Sequence, residues 1–195
     1  MLKRIRNANL VEATGSDELR WSIDEIEAYA KTHLAIPDDE DDLFCTSYEC
    51  ELRPEQKFRL FLTTKRLLGI TLRVNYNFIS FCYSNKIIFK YYLKSNHIDA
   101  DATYNLIEEK FPVLTVGTTD QDLHFHPFGM GISNHEEGED FCFMFRALQD
   151  ACKRIYGFDY EPKVLCADNA TQISNGFIMC FGEPEKVNYL FSELC

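Results

Sequence analysis

The sequence has few basic residues and no basic run longer than Lys65-Arg66. Its formal net charge is −11, and the acidic run at residues 38–42 contributes much of that charge. Proteins that grip duplex DNA use Lys and Arg to displace counterions from the phosphates. We therefore expect this chain alone to bind nucleic acid weakly, and we interpret the acidic run as a solvated linker.

The sequence also lacks the marks of export or membrane insertion. Its first 19 residues are polar almost throughout, without the apolar stretch and small-residue cleavage site of a signal peptide. The most apolar window, residues 78–93, is interrupted by Lys86 and Lys90, so it cannot span a bilayer as one helix. We expect a soluble nuclear or cytoplasmic protein that is neither secreted nor in a membrane.

None of the eight cysteines forms a Cys-x-x-Cys pair. Several lie in apolar periodic segments, where Cys packs as a small hydrophobic residue, so we interpret them as reduced core thiols. Cys45 and Cys50 could supply half of a zinc site, but no second ligand pair follows at a suitable spacing.

Residues 75–96 contain no Gly, Pro, Asp, Glu or Ala, and 17 of these 22 are Asn, Tyr, Phe, Ile or Lys. Neither a helical nor a strand period persists. Since these five residue types share A/T-rich codons, we hypothesise that the segment is a translated insert such as a retained intron. An aromatic strand is the alternative, and a spliced transcript containing all of these codons would exclude an intron.

The length suits one α/β core with small appended segments. Ser22 and Glu25 have the spacing of a capping box and predict an amphipathic helix over about 22–34. The segments FCTSYECEL and KFRLFLTT predict a hairpin that turns at residues 53–55. We divide the chain into a helical segment (1–35), a hairpin segment (36–74), the anomalous insert (75–96) and a final domain (97–195).

From residue 97 the pattern predicts the order β, β, β, α, β, α. The predicted elements are ATYNLI, FPVLTVGTT and FHPFGMGIS as strands, a helix that starts at residues 136–140 and stops at Gly157, the strand PKVLCAD, and the helix NATQISNGFIMCFG. This order predicts an α/β, mixed-sheet domain of the RNase H-like type, although an incomplete one. In that architecture three antiparallel strands lead through a helix to a fourth strand parallel to the first.

This architecture would bring together Asp101, on the first strand, and Asp168, at the end of the fourth. Paired carboxylates are the ligands that two divalent cations roughly 3.5–4 Å apart share in nucleotidyl transfer. Hard oxygen ligands favour Mg²⁺ or Mn²⁺. We therefore predict Asp101 and Asp168 as metal-binding catalytic residues.

The stretch HIDADATYNL, residues 97–106, also admits a different chemistry. Asp99, Asp101 and Thr103 match the Asp-x-Asp-x-Thr signature of haloacid-dehalogenase-like phosphatases, in which the first Asp attacks phosphorus and the second is the general acid. That fold requires an apolar strand before the motif and a helical crossover after it, whereas LKSNHI precedes the motif here and two strands follow. The phosphatase is therefore an alternative of lower rank.

Several motifs in order resemble the catalytic domain of Mutator-like element (MULE) transposases. They are DADATYNL, FPVLTVGTTDQDLHFHPFGMGIS, the acidic helix start with EDF, and CADNATQISNGF with FGE, preceded by IPDDEDDLF and TTKRLL. The resemblance covers about 36–74 and 97–183, with Asn105 in a slot where the family typically has Lys. It implies metal-dependent DNA cleavage and transfer of the DDE type, in which Asp101 and Asp168 match the first two acids. Asp99 falls outside the match and is expected to be a solvated carboxylate at the edge of a strand. Thr103 and Tyr104 are expected to be packing or supporting groups.

The chain departs from the family after the second acid. The Cys-Trp-x-His sequence and the later third acid of the family have no counterpart here, and we interpret Glu183, Glu185 and Glu193 as solvated surface. We also expect the fifth strand to be missing or altered, leaving a sheet edge uncovered. The prediction is a truncated, inactive transposase fragment that binds Mg²⁺ or Mn²⁺ weakly, with a noncatalytic, transposon-derived interaction module as the alternative.

Other polar residues have simpler interpretations. His124 and His126 would share a strand face, but a third metal ligand is not evident in the sequence. Asp120 and Asp122 predict a turn between the second and third strands. Glu136 and Glu137 could approach the metal site, although acids at a helix start usually complement the helix dipole.

Overall fold

The structure is a computed structural model that describes residues 22–51, 57–76, 97–104, 110–120, 122, 124–168 and 170–189. The predicted hairpin turn at 53–55, residues 77–96 of the anomalous segment, and Glu193 lie outside these residues.

Four helices and seven strands form within the described residues. In chain order they are α1 (Ile23–Thr32), β1 (Phe44–Glu51), β2 (Lys57–Thr63), α2 (Lys65–Tyr76), β3 (His97–Thr103), β4 (Val113–Thr119), β5 (Phe125–Ser133), α3 (Gly138–Tyr156), β6 (Val164–Ala167), α4 (Thr171–Phe181) and β7 (Lys186–Tyr189).

The seven strands form one mixed sheet in the order β1-β2-β5-β4-β3-β6-β7. The pairs from β1 to β3 are antiparallel, whereas β3 with β6 and β6 with β7 are parallel. The mixed α+β class predicted from the sequence is therefore confirmed. Strand β3 occupies the point where the antiparallel half of the sheet meets the parallel half.

The predicted capping box with its helix and the predicted hairpin are confirmed. Ser22 and Glu25 form the capping box at the start of α1, with Ser22 N–H donating to Glu25 Oε2 at 3.0 Å and Glu25 N–H donating to Ser22 Oγ at 3.4 Å. The predicted hairpin is β1 with β2, and β2 continues into the main sheet by pairing with β5.

Helix α2 was not predicted. It begins directly after β2, and Thr64 Oγ1 accepts a hydrogen bond from Leu67 N–H at its start. Leu68 and Leu72, one turn apart, are buried in the core. Because strand and helix adjoin without a Gly or Pro between them, the change of period is hard to recognise in the sequence.

The predicted position of the first catalytic strand was wrong. We expected an apolar strand over ATYNLI, after Asp101, but β3 ends at Thr103 and contains the motif itself. The reason is burial, because Ile98 and Ala100 are 0% and 2% exposed and face the main core. Ile98 and Ala100 alternate with polar residues along HIDADAT as in a strand, although Asp99 between them is buried as well.

The helix predicted to stop at Gly157 is confirmed as α3, whose apolar face packs against the sheet and α4. Buried residues on α3 include Phe141, Met144, Phe145, Leu148 and Cys152. The helix ends at Gly157, whose φ of 73° is the left-handed conformation that glycine adopts most readily. On the strand below, Gly131 leaves room for the Met144 side chain.

The expectation of an incomplete sheet needs correction. After β6 and α4 the chain forms β7, which pairs in parallel with β6 through the register Val164↔Lys186 to Ala167↔Tyr189. The order from residue 97 is therefore β, β, β, α, β, α, β. The alternation in KVNY is too short to identify a four-residue parallel strand in isolation.

Candidate metal-binding site

Asp101 and Asp168 lie at the same end of two neighbouring parallel strands. The register of β3 and β6 pairs His97 with Val164 and Ala100 with Ala167. Asp101 and Asp168 each follow the last of these pairs by one residue, and adjacent strands lie about 4.8 Å apart. The parallel pairing therefore brings two residues that are distant in the sequence to one edge of the sheet.

Both aspartates are exposed, and each uses one oxygen in a local hydrogen bond. Asp101 Oδ1 accepts from Ala102 N–H at 2.8 Å, and Asp168 Oδ1 accepts from Ala170 N–H at 3.1 Å. The second bond shapes the turn from β6 into α4. Both aspartates are exposed to solvent, and among the described residues no Lys or Arg forms an ion pair with either of them.

Glu136 is a third carboxylate near this pair. It lies between the end of β5 and the start of α3 and is partly buried. Burial raises the pKa of its carboxyl, and the negative charges of Asp168, Asp101 and then Asp140 raise it further. Glu136 is therefore close enough to Asp101 and Asp168 for their charges to affect its ionisation.

The sequence allowed Glu136 to approach the metal site but favoured the role of a helix-start acid. Strand β5 runs in the same direction as β3, because both are antiparallel to β4. The carboxyl ends of β3, β5 and β6 therefore lie at one edge of the sheet. The correct strand order, rather than any local motif, was the signal that could have identified Glu136.

The connection that carries Glu136 is held by a buried ionic network. Arg59 Nε of β2 donates to Asp140 Oδ1 at 2.6 Å, and Ser133 Oγ donates to the same oxygen at 2.6 Å. The other oxygen, Asp140 Oδ2, accepts from Glu137 N–H at 2.7 Å. The side chains of Arg59 and Asp140 are 9% and 0% exposed. This network fixes the first turn of α3 relative to the sheet and so restrains the backbone next to Glu136.

Asp99 differs from the solvated carboxylate that we expected. It is 2% exposed, and its Oδ2 accepts a hydrogen bond from Thr119 Oγ1. Its Oδ1 lies 4.0 Å from His97 Nε2 and makes no hydrogen bond. Burial raises the pKa of the Asp99 carboxyl, against the opposing effects of Thr119, His97 and Cys166. A side chain enclosed in this way cannot reach the phosphorus of a bound substrate.

A second polar cluster lies at the opposite end of these strands, in the turn between β4 and β5. The possible ligand atoms of Asp120, Asp122 and His124 lie within 4.8 Å of one another, which makes the group a possible metal-binding cluster. It contains His124 but not His126, the residue that we expected on the same strand face.

Hydrogen bonds within this turn already occupy Asp120. Its Oδ1 accepts from the N–H groups of Asp122 and His124 at 2.9 Å each, which confirms the predicted turn. Its Oδ2 lies 2.8 Å from His126 Nε2. The hydrogen bond from His126 is the largest of the effects that lower the pKa of Asp120 to about 2. The turn therefore explains the cluster without an ion.

The residues at the Asp101 edge fit a divalent cation better. They offer carboxylate oxygens, the donors that Mg²⁺ and Mn²⁺ prefer. Burial, and after it the negative charges of Asp168 and Asp101, raise the pKa of Glu136; a bound cation would relieve the repulsion between these charges, whereas Asp120 already has a histidine partner. The acidic edge formed by Asp101, Glu136 and Asp168 is therefore the candidate site.

None of the described helices combines the length and the apolar character needed to cross a membrane. Comparison of the chain with models of known protein families and with curated proteins finds no match.

Proposed function

We propose that this chain is a metal-binding domain of the RNase H-like class, related to the MULE transposases, whose acidic edge takes part in DNA strand cleavage and transfer. The observation that carries the proposal is the parallel register of β3 and β6, which places Asp101 and Asp168 at neighbouring strand ends. The element order supports it, since three antiparallel strands, a helix, a parallel strand, a second helix and a further parallel strand follow one another from residue 97.

In this proposal Asp101 and Asp168 hold Mg²⁺ or Mn²⁺ between the two strand ends. Glu136 provides a third carboxylate from the start of α3, in a different place from the third acid that the family resemblance implies. When bound, a divalent pair would stabilise the attacking and leaving oxygens at a phosphodiester. The three carboxylates would hold the cations in place. The network of Arg59 and Asp140 restrains the segment that carries Glu136.

Binding is proposed to be weak and cleavage by the isolated chain to be absent or slow. The three carboxylates share no tight cluster in the structure, whereas Asp120, Asp122 and His124 do. The net charge of −11 also repels the DNA backbone. A nicking assay with Mn²⁺ on supercoiled DNA tests this part of the proposal, because robust cleavage that Asp101→Ala abolishes would show an active enzyme.

Magnesium titration followed by NMR tests the site itself. We expect saturable shifts at Asp101, Glu136 and Asp168 that disappear in Asp101→Asn and Asp168→Asn. Asp150→Asn, a matched change of an exposed aspartate on α3, should leave the titration unchanged. The proposal fails if the shifts occur only at Asp120, Asp122 and His124, or if no residue responds.

A noncatalytic interaction module is the second candidate, and the pairing of basic side chains favours it. Lys57, Arg59, Arg66 and Lys153 each form an ion pair with a carboxylate of the same chain. Groups used in this way are less available for phosphates. This module would show no specific response to Mg²⁺ at the acidic edge.

The phosphatase alternative receives less support. It would use Asp99 as the nucleophile, but the Asp99 side chain is enclosed. The chain also runs from β3 into the antiparallel strand β4, and not into a crossover helix.

A further inference from the structure

Tyr104 is an exposed aromatic residue next to the acidic edge. It directly follows β3 and is 50% exposed, whereas the sequence suggested that it would be a packing or supporting group. No hydrogen bond or ring contact holds it to the described part of the chain. An aromatic side chain left in water in this way gains free energy when a partner covers its ring.

The other two exposed aromatic side chains among the described residues have structural contacts. The Phe125 ring lies over Gly117, where an added Cβ would come 2.4 Å from Phe125 Cζ. The Tyr156 hydroxyl donates to the Lys65 carbonyl at 2.8 Å, and its ring lies 6.4 Å from that of Phe158. Of these three exposed aromatic side chains, Tyr104 is therefore the one whose exposure is not explained by a contact with the described residues.

The position of Tyr104 suits a nucleic-acid strand. Tyr104 is three residues after Asp101 along the chain, a span of at most about 10 Å. The axial rise of a stacked DNA strand is about 3.4 Å per nucleotide and an unpaired strand is more extended, so this span covers no more than about three nucleotides. A strand whose phosphate lies at the acidic edge would thus bring a nearby base within reach of the Tyr104 ring.

We infer that Tyr104 is a base-stacking residue that holds an unpaired nucleotide of the strand whose backbone approaches Asp101 and Asp168. This inference rests on the proposed function. The planar ring binds the face of a base without reading its identity, because every base has a π-face. Stacking also contributes binding affinity for nucleic acid without positive charge. This matters here because the chain has few basic residues.

Fluorescence anisotropy with a labelled duplex carrying a single-stranded overhang tests the inference. The measurement is made at low ionic strength in Ca²⁺, which takes the same oxygen ligands as Mg²⁺. We expect Tyr104→Ala to weaken binding on the order of tenfold and Tyr104→Phe to bind like the wild type, since the ring and not the hydroxyl carries stacking. Tyr156→Ala is the control for loss of an exposed aromatic residue elsewhere.

An abasic overhang provides a second, independent readout. It should remove the difference between the wild type and Tyr104→Ala, because no base is left to stack. The inference is overturned if Tyr104→Ala binds within twofold of the wild type, if Tyr104→Phe loses as much affinity as Tyr104→Ala, or if the wild type does not bind the overhang. The Mg²⁺ titration decides separately whether the proposed function stands, because it needs no nucleic acid.

Discussion

Arg59 Nε donates a hydrogen bond of 2.6 Å to Asp140 Oδ1 in the interior, joining the second strand of the sheet to the first turn of α3. The N-terminal hairpin and the C-terminal half of the chain are thereby connected by side chains as well as by the pairing of β2 with β5. The acidic edge thus depends on residues far from it in sequence.

Removing one partner of the Arg59–Asp140 pair should strongly destabilise the folded protein. Asp140→Ala would leave Arg59 without its most buried partner and remove the acceptor for Ser133 and Glu137, so we expect a loss of about 3–5 kcal/mol in the free energy of unfolding. Urea denaturation measures this loss.

The control is Asp159→Ala, which breaks an ion pair of 2.8 Å whose two side chains are each 64% exposed. We expect less than about 1 kcal/mol there, and equal losses at both sites would contradict the structural role of the buried pair.

The contact between α3 and α4 depends on a close backbone approach at Gly176. A Cβ added there would lie 2.4 Å from Phe141 Cβ and 2.8 Å from the Gly138 carbonyl oxygen. Because neither atom can move without shifting a helix, we expect Gly176→Ala to destabilise the protein by about 1–3 kcal/mol.

Gly131→Ala provides the comparison for Gly176. Its added Cβ would meet Met144 Sδ at 2.2 Å, but a methionine side chain can change rotamer. We expect the smaller loss of thermal stability at Gly131, and the reverse order would show that the helix contact is looser than described.

The turn that follows β4 should give a measurable pH effect. The pKa of Asp120 is lowered to about 2, so its ionised form is favoured in the folded state. The stability it contributes is present above 3.8, the ordinary pKa of an aspartate, and is lost as the pH falls through the lower pKa of the folded state. We expect Asp120→Asn to lower the melting temperature at neutral pH and to converge with the wild type near pH 2.

Carbon NMR of the Asp120 carboxyl provides a direct check of this titration. A midpoint near 3.8 would mean that the bonds from His126, His124 and Asp122 do not favour the ionised form.

The contribution of Glu136 to stability should change with pH in the opposite sense to that of Asp120. Its pKa is raised, so its contribution to stability is present at acidic pH and is lost as the pH rises through the folded value. We expect Glu136→Gln to raise the melting temperature of the metal-free protein at neutral pH and to reduce the further rise that Mg²⁺ produces. The adjacent change Glu137→Gln alters the same charge outside the proposed ligand set. Equal Mg²⁺ responses in the wild type and Glu136→Gln would remove Glu136 from the site.

The sequence predicted the helices and strands with a persistent period, and it failed where the signal depends on three-dimensional arrangement. The apolar face of α3 and its stop at Gly157 follow from local spacing. Strand β3 was misplaced because its alternating carboxylates were interpreted as a chemical motif, although Ile98 and Ala100 already had the period of a strand.

The candidate site was predictable only in part, for the same reason. Asp101 and Asp168 were selected because the order of elements implied parallel neighbours. Glu136 required knowledge of which strand ends share an edge, and the burial of Asp99 and exposure of Tyr104 required the packing around each side chain. Strand order and side-chain burial depend on the whole fold, so a local sequence motif does not reveal them.

The parallel pairing of β3 with β6 also affects how the chain folds. These partners are joined through two hairpin connections and α3, so their contacts close a long loop and form slowly compared with local ones. Until β6 docks, Asp101 and Asp168 are isolated carboxylates without mutual repulsion. The negative charge at this edge is therefore concentrated only once β6 has paired with β3.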